Sequence, residues 1–199
     1  MLGWSSGIKK KEPCNMKTRD IVLIALFAAI VAVLGIFPPI TLPGLAVPIT
    51  AQSLGVMLAG GILGAKRGAL SIALFLVLVA VGLPLLSGGR GGLGVFLGPS
   101  GGFLIGWVIA AYAIGSMVER VWNKINYGYA FLCCVLGGIV LLYIIGIPWV
   151  AFAAKIPLAK AFWGSIAFVP GDIIKAVVAS FIIVSVAKSY PIIIGKEAS

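Results

Sequence analysis

The chain has no histidine, and only five of its 199 residues are acidic. It therefore lacks the commonest general base and the commonest metal ligand. Its three cysteines include the adjacent pair Cys133 and Cys134. An odd count gives no disulfide framework, and a bridge between chain neighbours is strained, so the pair reads as small packing residues. Charged residues make up 10% of the chain, against about 25% in a soluble domain. A surface so poor in charge faces something other than water, and lipid is the available solvent. No Gly-Lys-Ser/Thr string occurs, which excludes a phosphate-binding loop and the ATPases built on one. Fifteen basic residues give a net charge of +10. No basic face alternates with aromatic stacking residues, however, so the excess does not point to nucleic acid.

What the chain has in quantity is apolar length. Hydrophobic residues make up 61% of it, and a membrane helix needs about 20 mostly apolar residues to cross a core of roughly 30 Å. Apolar runs recur at about 21–37, 51–64, 68–83, 102–118, 128–147 and 171–187. The reading is an all-α integral membrane protein with six transmembrane helices. Residues 21–190 form the membrane domain, 1–20 a polar, basic amino-terminal tail, and 191–199 a carboxy-terminal tail.

Charge sets the orientation. One side collects Lys9, Lys10, Lys11, Lys17, Arg19, Lys66, Arg67, Arg120, Lys124, Lys188 and Lys196. The other collects Arg90, Lys155 and Lys160. Basic residues mark the cytoplasmic side, so both termini are expected there, in a multi-pass protein of the cell membrane. The inner connections are short and charged. The outer ones, at 38–50, 84–101 and 148–170, are rich in glycine, proline and apolar residues. They read as irregular backbone folded over a ligand cavity, since such backbone is tolerated at depth only where protein or a cavity surrounds it.

A few polar residues inside this apolar frame are candidates for chemistry. Pro170-Gly171 opens the sixth span. Asp172 follows in its first turn, where the helix dipole favours a carboxylate. Lys175, three residues on, shares its face. Two readings fit: a capping carboxylate beside a lysine that snorkels outward, and a polar patch that faces a ligand. An acid and an amine inside a membrane segment are costly unless paired or wet, which favours the patch. In the outer glycine-rich segment Arg90 is available to a carboxylate, or the segment is an ordinary loop. At the outer end of the second span, Thr50, Gln52 and Ser53 either cap the helix or hydrogen-bond a ligand. Glycines recur every four residues at 60, 64 and 68 and at 94, 98, 102 and 106, a spacing that lets membrane helices approach closely. Ala25/Ala29 and Ala28/Ala32 make smooth stripes on the first span, suited to internal packing or to docking against another membrane protein.

The string Val47-Pro48-Ile49-Thr50-Ala51-Gln52, the segment Leu97-Gly98-Pro99-Ser100-Gly101-Gly102-Phe103-Leu104-Ile105-Gly106, and Pro170-Gly171-Asp172 with Lys175 occur in this order. Together they resemble the BioY family, the biotin-binding S components of energy-coupling factor (ECF) transporters, over about residues 16–190. The resemblance implies a six-helix fold with both termini inside and capture of biotin from outside. It also implies partnership with a transmembrane coupling protein and two cytoplasmic ATPase subunits. On this reading Ala25, Ala28, Ala29 and Ala32 are the docking stripe. Asp172 would accept hydrogen bonds from the ureido N–H groups of biotin, with Lys175 or Arg90 meeting its carboxylate or ureido oxygen, and Thr50 and Gln52 nearby. No catalytic residue, metal or cofactor is expected.

Two other classes compete. A membrane enzyme acting on lipid would want clustered acids around Mg²⁺ or a nucleophile with its base, and Asp172 is the one acid expected inside the membrane region. A pore would need polar residues along several spans, and the first, third and fifth offer almost none.

Overall fold

Residues 17–39, 47–190 and 193 are described by the computed structural model. The expected tails, apart from Lys17 to Asp20 and Ile193, and the stretch 40–46 of the first outer connection lie outside the described residues.

In an apolar medium every backbone N–H and C=O must find its partner within the protein, and the apolar runs accordingly form helices. These are α1 (Thr18–Leu34), α2 (Gln52–Leu63), α3 (Ala65–Ala80), the single turn α4 (Gly94–Leu97), α5 (Gly101–Arg120), α6 (Tyr127–Ala154), α7 (Leu158–Ile166) and α8 (Val169–Ser189). Among the described residues there is no strand, only isolated bridge residues such as the Leu86–Arg90 pair. The six expected runs correspond to α1, α2, α3, α5, α6 and α8. Of these, α5, α6 and α8 are each long and apolar enough to cross a membrane.

Two outer connections differ from expectation. The stretch 148–170 is mostly helical: α6 runs on through Pro148 to Ala154, and α7 follows. Proline removes only one donor, and continuing the helix satisfies the remaining backbone without water. Within 84–101, Leu86 and Arg90 exchange both backbone hydrogen bonds at 3.0 and 3.2 Å. The turn between them uses positive φ at Gly88 and Gly89, and α4 follows it.

Successive long helices alternate in direction. At one end, Asp20 of α1 pairs with Arg67 of α3 at 3.0 Å, and the Arg19 and Lys188 cations lie over the Tyr190 and Tyr127 rings. Gly64 alone joins α2 to α3 there, with φ at 84°. A side chain at that residue would meet the Glu119 carboxylate. Glu119 reaches over from α5 to accept the Ala65 N–H at 2.8 Å, capping a donor that the start of α3 would otherwise leave orphaned. At the opposite end the amino termini of α2, α5 and α8 meet the carboxy termini of α1, α3 and α6.

The shortest of the six, α2, has 12 residues and spans only about 18 Å. It sits at the centre, packed by α1, α3, α5 and α8, and Gly55 to Leu63 are buried without interruption. A helix enclosed by protein on all sides need not match the thickness of a bilayer. Around it Met57, Ile72, Phe75, Ile114 and Ile183 form the core. Outward, α8 presents Ile173, Ile174, Val177, Val178 and Phe181, an apolar belt suited to lipid contact. The glycine repeats divide: at 60, 68, 102 and 106 a side chain would strike a neighbouring helix, whereas at 94 and 98 it would not.

Candidate functional site

Site chemistry gathers where α2, α6 and α8 meet. Phe168 precedes α8, Pro170 lies in its first turn, and Asp172 follows, buried, near the positive end of the helix dipole. Lys175 lies one turn on and donates to Oδ1 of Asp172 at 2.8 Å. Ser53, from the first turn of α2, links the two: its Oγ accepts from Lys175 Nζ at 3.0 Å and donates to Asp172 Oδ1 at 3.4 Å. From α6 the Tyr143 hydroxyl donates to Asp172 Oδ2 at 2.7 Å.

A buried ion pair is tolerable when further hydrogen bonds satisfy what the pair leaves over, and Ser53 and Tyr143 do this. A carboxylate has about four acceptor positions and an ammonium three N–H groups. The hydrogen bonds described use three acceptor positions on Asp172 and two N–H groups on Lys175. One of each is left without a protein partner among the described residues.

The pair closes the polar side of a cavity of about 430 Å³, its open mouth included. Val47, Pro48, Ile49 and Thr50 wall it from the connection before α2, Phe103 and Trp107 from α5, Leu142 and Tyr143 from α6, and Phe168 from the start of α8. Phe103 stands edge-on to Tyr143, with ring centroids 5.9 Å apart. The walls are apolar and aromatic, with a donor and an acceptor concentrated in one corner. This suits a small amphiphile carrying adjacent N–H and C=O groups, held by shape along the rest of its length.

Tyr143 owes its aim to an irregularity. From Leu136 to Leu141, α6 widens into a π-helical stretch where Gly137 and Gly138 press against Ile114 and Met57. An extra residue in a helix turns everything after it by about 100°, and such stretches recur at functional sites. Leu142 and Tyr143 follow immediately.

Of the residues singled out from sequence, Asp172, Lys175 and Thr50 share this cavity. Gln52 and Arg90 do not line it. Gln52 is buried, with both ends of its amide bonded to the chain, and the Arg90 Nε donates to the Ser87 carbonyl at 3.3 Å. The alanine stripe also splits. Ala25 and Ala29 are exposed, Ala32 is half-buried, and Ala28, at 3% exposure, points into the core. Tyr143, Phe103, Trp107 and Phe168 were not identified from sequence. Tyr143 had one signal, a polar tip inside an otherwise apolar run, which usually finds a partner when buried. Among the described residues no group of three or more His, Cys, Asp or Glu is placed to hold a metal.

Comparison with known proteins gives the family and the fold. The family model of the BioY family matches residues 9–192. A Rhizobium etli protein described as biotin transporter BioY is 52% identical over 183 residues, covering 89% of this chain and 98% of that protein. A Rhodobacter capsulatus protein of the same description is 46% identical, covering 87% of this chain and 95% of its own length. A crystal structure of the S-component for biotin from an ECF-type ABC transporter superposes with a TM-score of 0.85 at 34% identity, covering 90% of this chain and 96% of that one.

Proposed function

This chain belongs to the BioY family, and from that membership we propose that it is the biotin-binding S subunit of an ECF-type uptake transporter. It is a multi-pass protein of the cell membrane. The family is one of transporter subunits and not of enzymes.

The observation that carries the reading is the pair of buried Asp172 and half-buried Lys175, bridged by Ser53 and joined by Tyr143, at the polar corner of an aromatic cavity. Biotin presents two ureido N–H groups beside a carbonyl, an apolar ring system and a carboxylate on a flexible chain. Asp172 accepts a ureido N–H at its remaining acceptor position, and Lys175 meets the ureido oxygen or the carboxylate. Thr50 borders the mouth, and Phe103, Trp107 and Phe168 enclose the rings. Six helices, α1, α2, α3, α5, α6 and α8, span the bilayer, with both termini in the cytoplasm and the Asp172 end outside. The basic residues at the other end support this orientation.

With no phosphate-binding loop in its sequence, the chain relies on the ECF module for ATP hydrolysis. That module comprises a transmembrane coupling protein and two cytoplasmic ATPases. The exposed face of α1 around Ala25 and Ala29 docks against the coupling protein, because small side chains let helices approach closely in lipid.

Titration of labelled biotin onto detergent-purified protein tests the reading. Stoichiometric binding by the wild type and its loss in Asp172→Asn are expected. Equal weak binding by both would overturn the site.

A further inference from the structure

Gln52 is 1% exposed, does not line the cavity, and makes four hydrogen bonds to the chain. Its Nε2 donates to the carbonyls of Val31 at 3.1 Å and Leu85 at 3.0 Å. Its Oε1 accepts from Ser87 N at 3.0 Å and Ser87 Oγ at 3.2 Å. Two donors and two acceptor positions are all that an amide side chain has. We infer that Gln52 is a positioning residue for ligand retention, fastening the wall formed by residues 47–50 and Ser53 to the outer ends of α1 and α3.

Each bond serves a group that the local fold leaves without a regular partner. Gly35 N bonds the carbonyl of Ala32 at 2.9 Å as α1 ends, so the Val31 carbonyl loses its usual helical donor. Leu85 and Ser87 lie in irregular backbone beside the Leu86–Arg90 turn. Gln52 satisfies all of these at one buried point where α1, α2 and the segment after α3 converge. Gly35 permits the convergence: a Cβ there would overlap the Leu85 carbonyl and come within 2.9 Å of Gln52 Nε2.

The link from Gln52 to the cavity runs along the backbone and is short. Gln52 opens α2. The residue after it, Ser53, bonds both Asp172 and Lys175, and residues 47–50 wall the cavity. Gln52 therefore sits with Gly35 on one side and the cavity wall of residues 47–50 on the other. Loosening this point would orphan several buried polar groups at once and let the wall and Ser53 move away from Asp172. A bound molecule then escapes faster, whereas encounter, set by diffusion and orientation, changes little.

The inference rests on the biotin-binding reading for its kinetic test and stands apart from it for its structural one. The variants are Gln52→Met, which keeps length and removes the hydrogen bonds, Ser87→Ala, which removes one donor, and Gly35→Ala, which crowds the convergence. Each is made in the full chain. Dissociation of labelled biotin and backbone hydrogen exchange in the ligand-free protein are measured. Gln52→Met should dissociate about tenfold faster with the association rate within about twofold, as expected when affinity is tuned through escape. Its binding stoichiometry should remain intact, and exchange at Ser87, whose N–H Gln52 accepts, should rise. Ser87→Ala and Gly35→Ala should shift both readouts the same way, by less for Ser87→Ala.

A reduced active fraction with wild-type dissociation from the remainder would mean a purely structural residue and overturn the inference. If Gln52→Met does not fold, unchanged dissociation in both other variants would overturn it as well. Should wild-type protein bind no biotin, the functional reading fails. Unchanged exchange at Ser87 in the variants would then separately refute the fastening.

Discussion

Tyr143 of α6 and Asp172 of α8 are 29 residues apart in sequence, yet the phenol donates to the carboxylate at 2.7 Å. The bond holds Oδ2 of Asp172 while Lys175 and Ser53 hold Oδ1. The acceptor at the polar corner of the cavity is therefore oriented before any ligand arrives, which lowers the ordering cost of binding.

Removing that phenol should weaken binding without dismantling the site. Tyr143→Phe deletes one hydrogen bond to an ionised group, worth about 1.5–3 kcal/mol, while the Lys175 pair remains. Biotin affinity should fall roughly ten- to a hundred-fold with little change in thermal midpoint, read by equilibrium titration alongside a melting curve. A midpoint collapse at unchanged affinity would mean that the bond serves folding alone.

The ion pair separates binding from stability. Lys175→Met leaves a buried carboxylate without its cation, a loss of about 3–5 kcal/mol where one partner of a buried pair is removed. Asp172→Asn in the same chain removes that isolated charge. The double variant should melt higher than Lys175→Met and still fail to bind biotin. A double variant that melts no higher than the single would argue that the pair is not energetically coupled.

At the far end of the bundle, Glu119→Ala should lower stability by about 1 kcal/mol, the usual worth of a helix cap, because it orphans the Ala65 N–H. Biotin affinity should be unchanged, since Glu119 lies at the opposite end from Asp172. Denaturation and titration on one preparation check both halves.

The split of the α1 stripe makes a directional prediction. Ala25→Leu with Ala29→Leu enlarges an exposed face, so biotin binding should persist while copurification with the coupling protein is lost. Ala28→Leu inserts bulk into the core and should cost about 1–3 kcal/mol of stability. If the exposed double variant still copurifies normally, the docking face lies elsewhere.

Much of this was legible in the residues. Apolar run length located the helices because lipid forces each segment to satisfy its own backbone. The Asp172–Lys175 pair was legible because spacing on one helix needs no knowledge of the rest of the chain. Gln52 shows the limit. Its polar side chain at a helix start pointed equally to a ligand and to the chain, and the carbonyls it serves are 21 and 33 residues away. Ala28 shows the same limit, since helical spacing groups residues onto a face without saying which neighbour covers it.

The linear order of amino acids by itself determined the medium, the long apolar helices and the pairing of Asp172 with Lys175, since these depend on local composition and on periods of three to four residues. Tertiary structure decided which groups meet that pair and which polar side chain is consumed in holding helix ends together. Hydrogen bonds and aromatic walls between helices depend on the rotation of each helix about its axis. In α6 that rotation is set by a π-helical stretch at Leu136–Leu141, where Gly137 and Gly138 pack closely against α5 and α2, and no run of residues read along the chain encodes it alone.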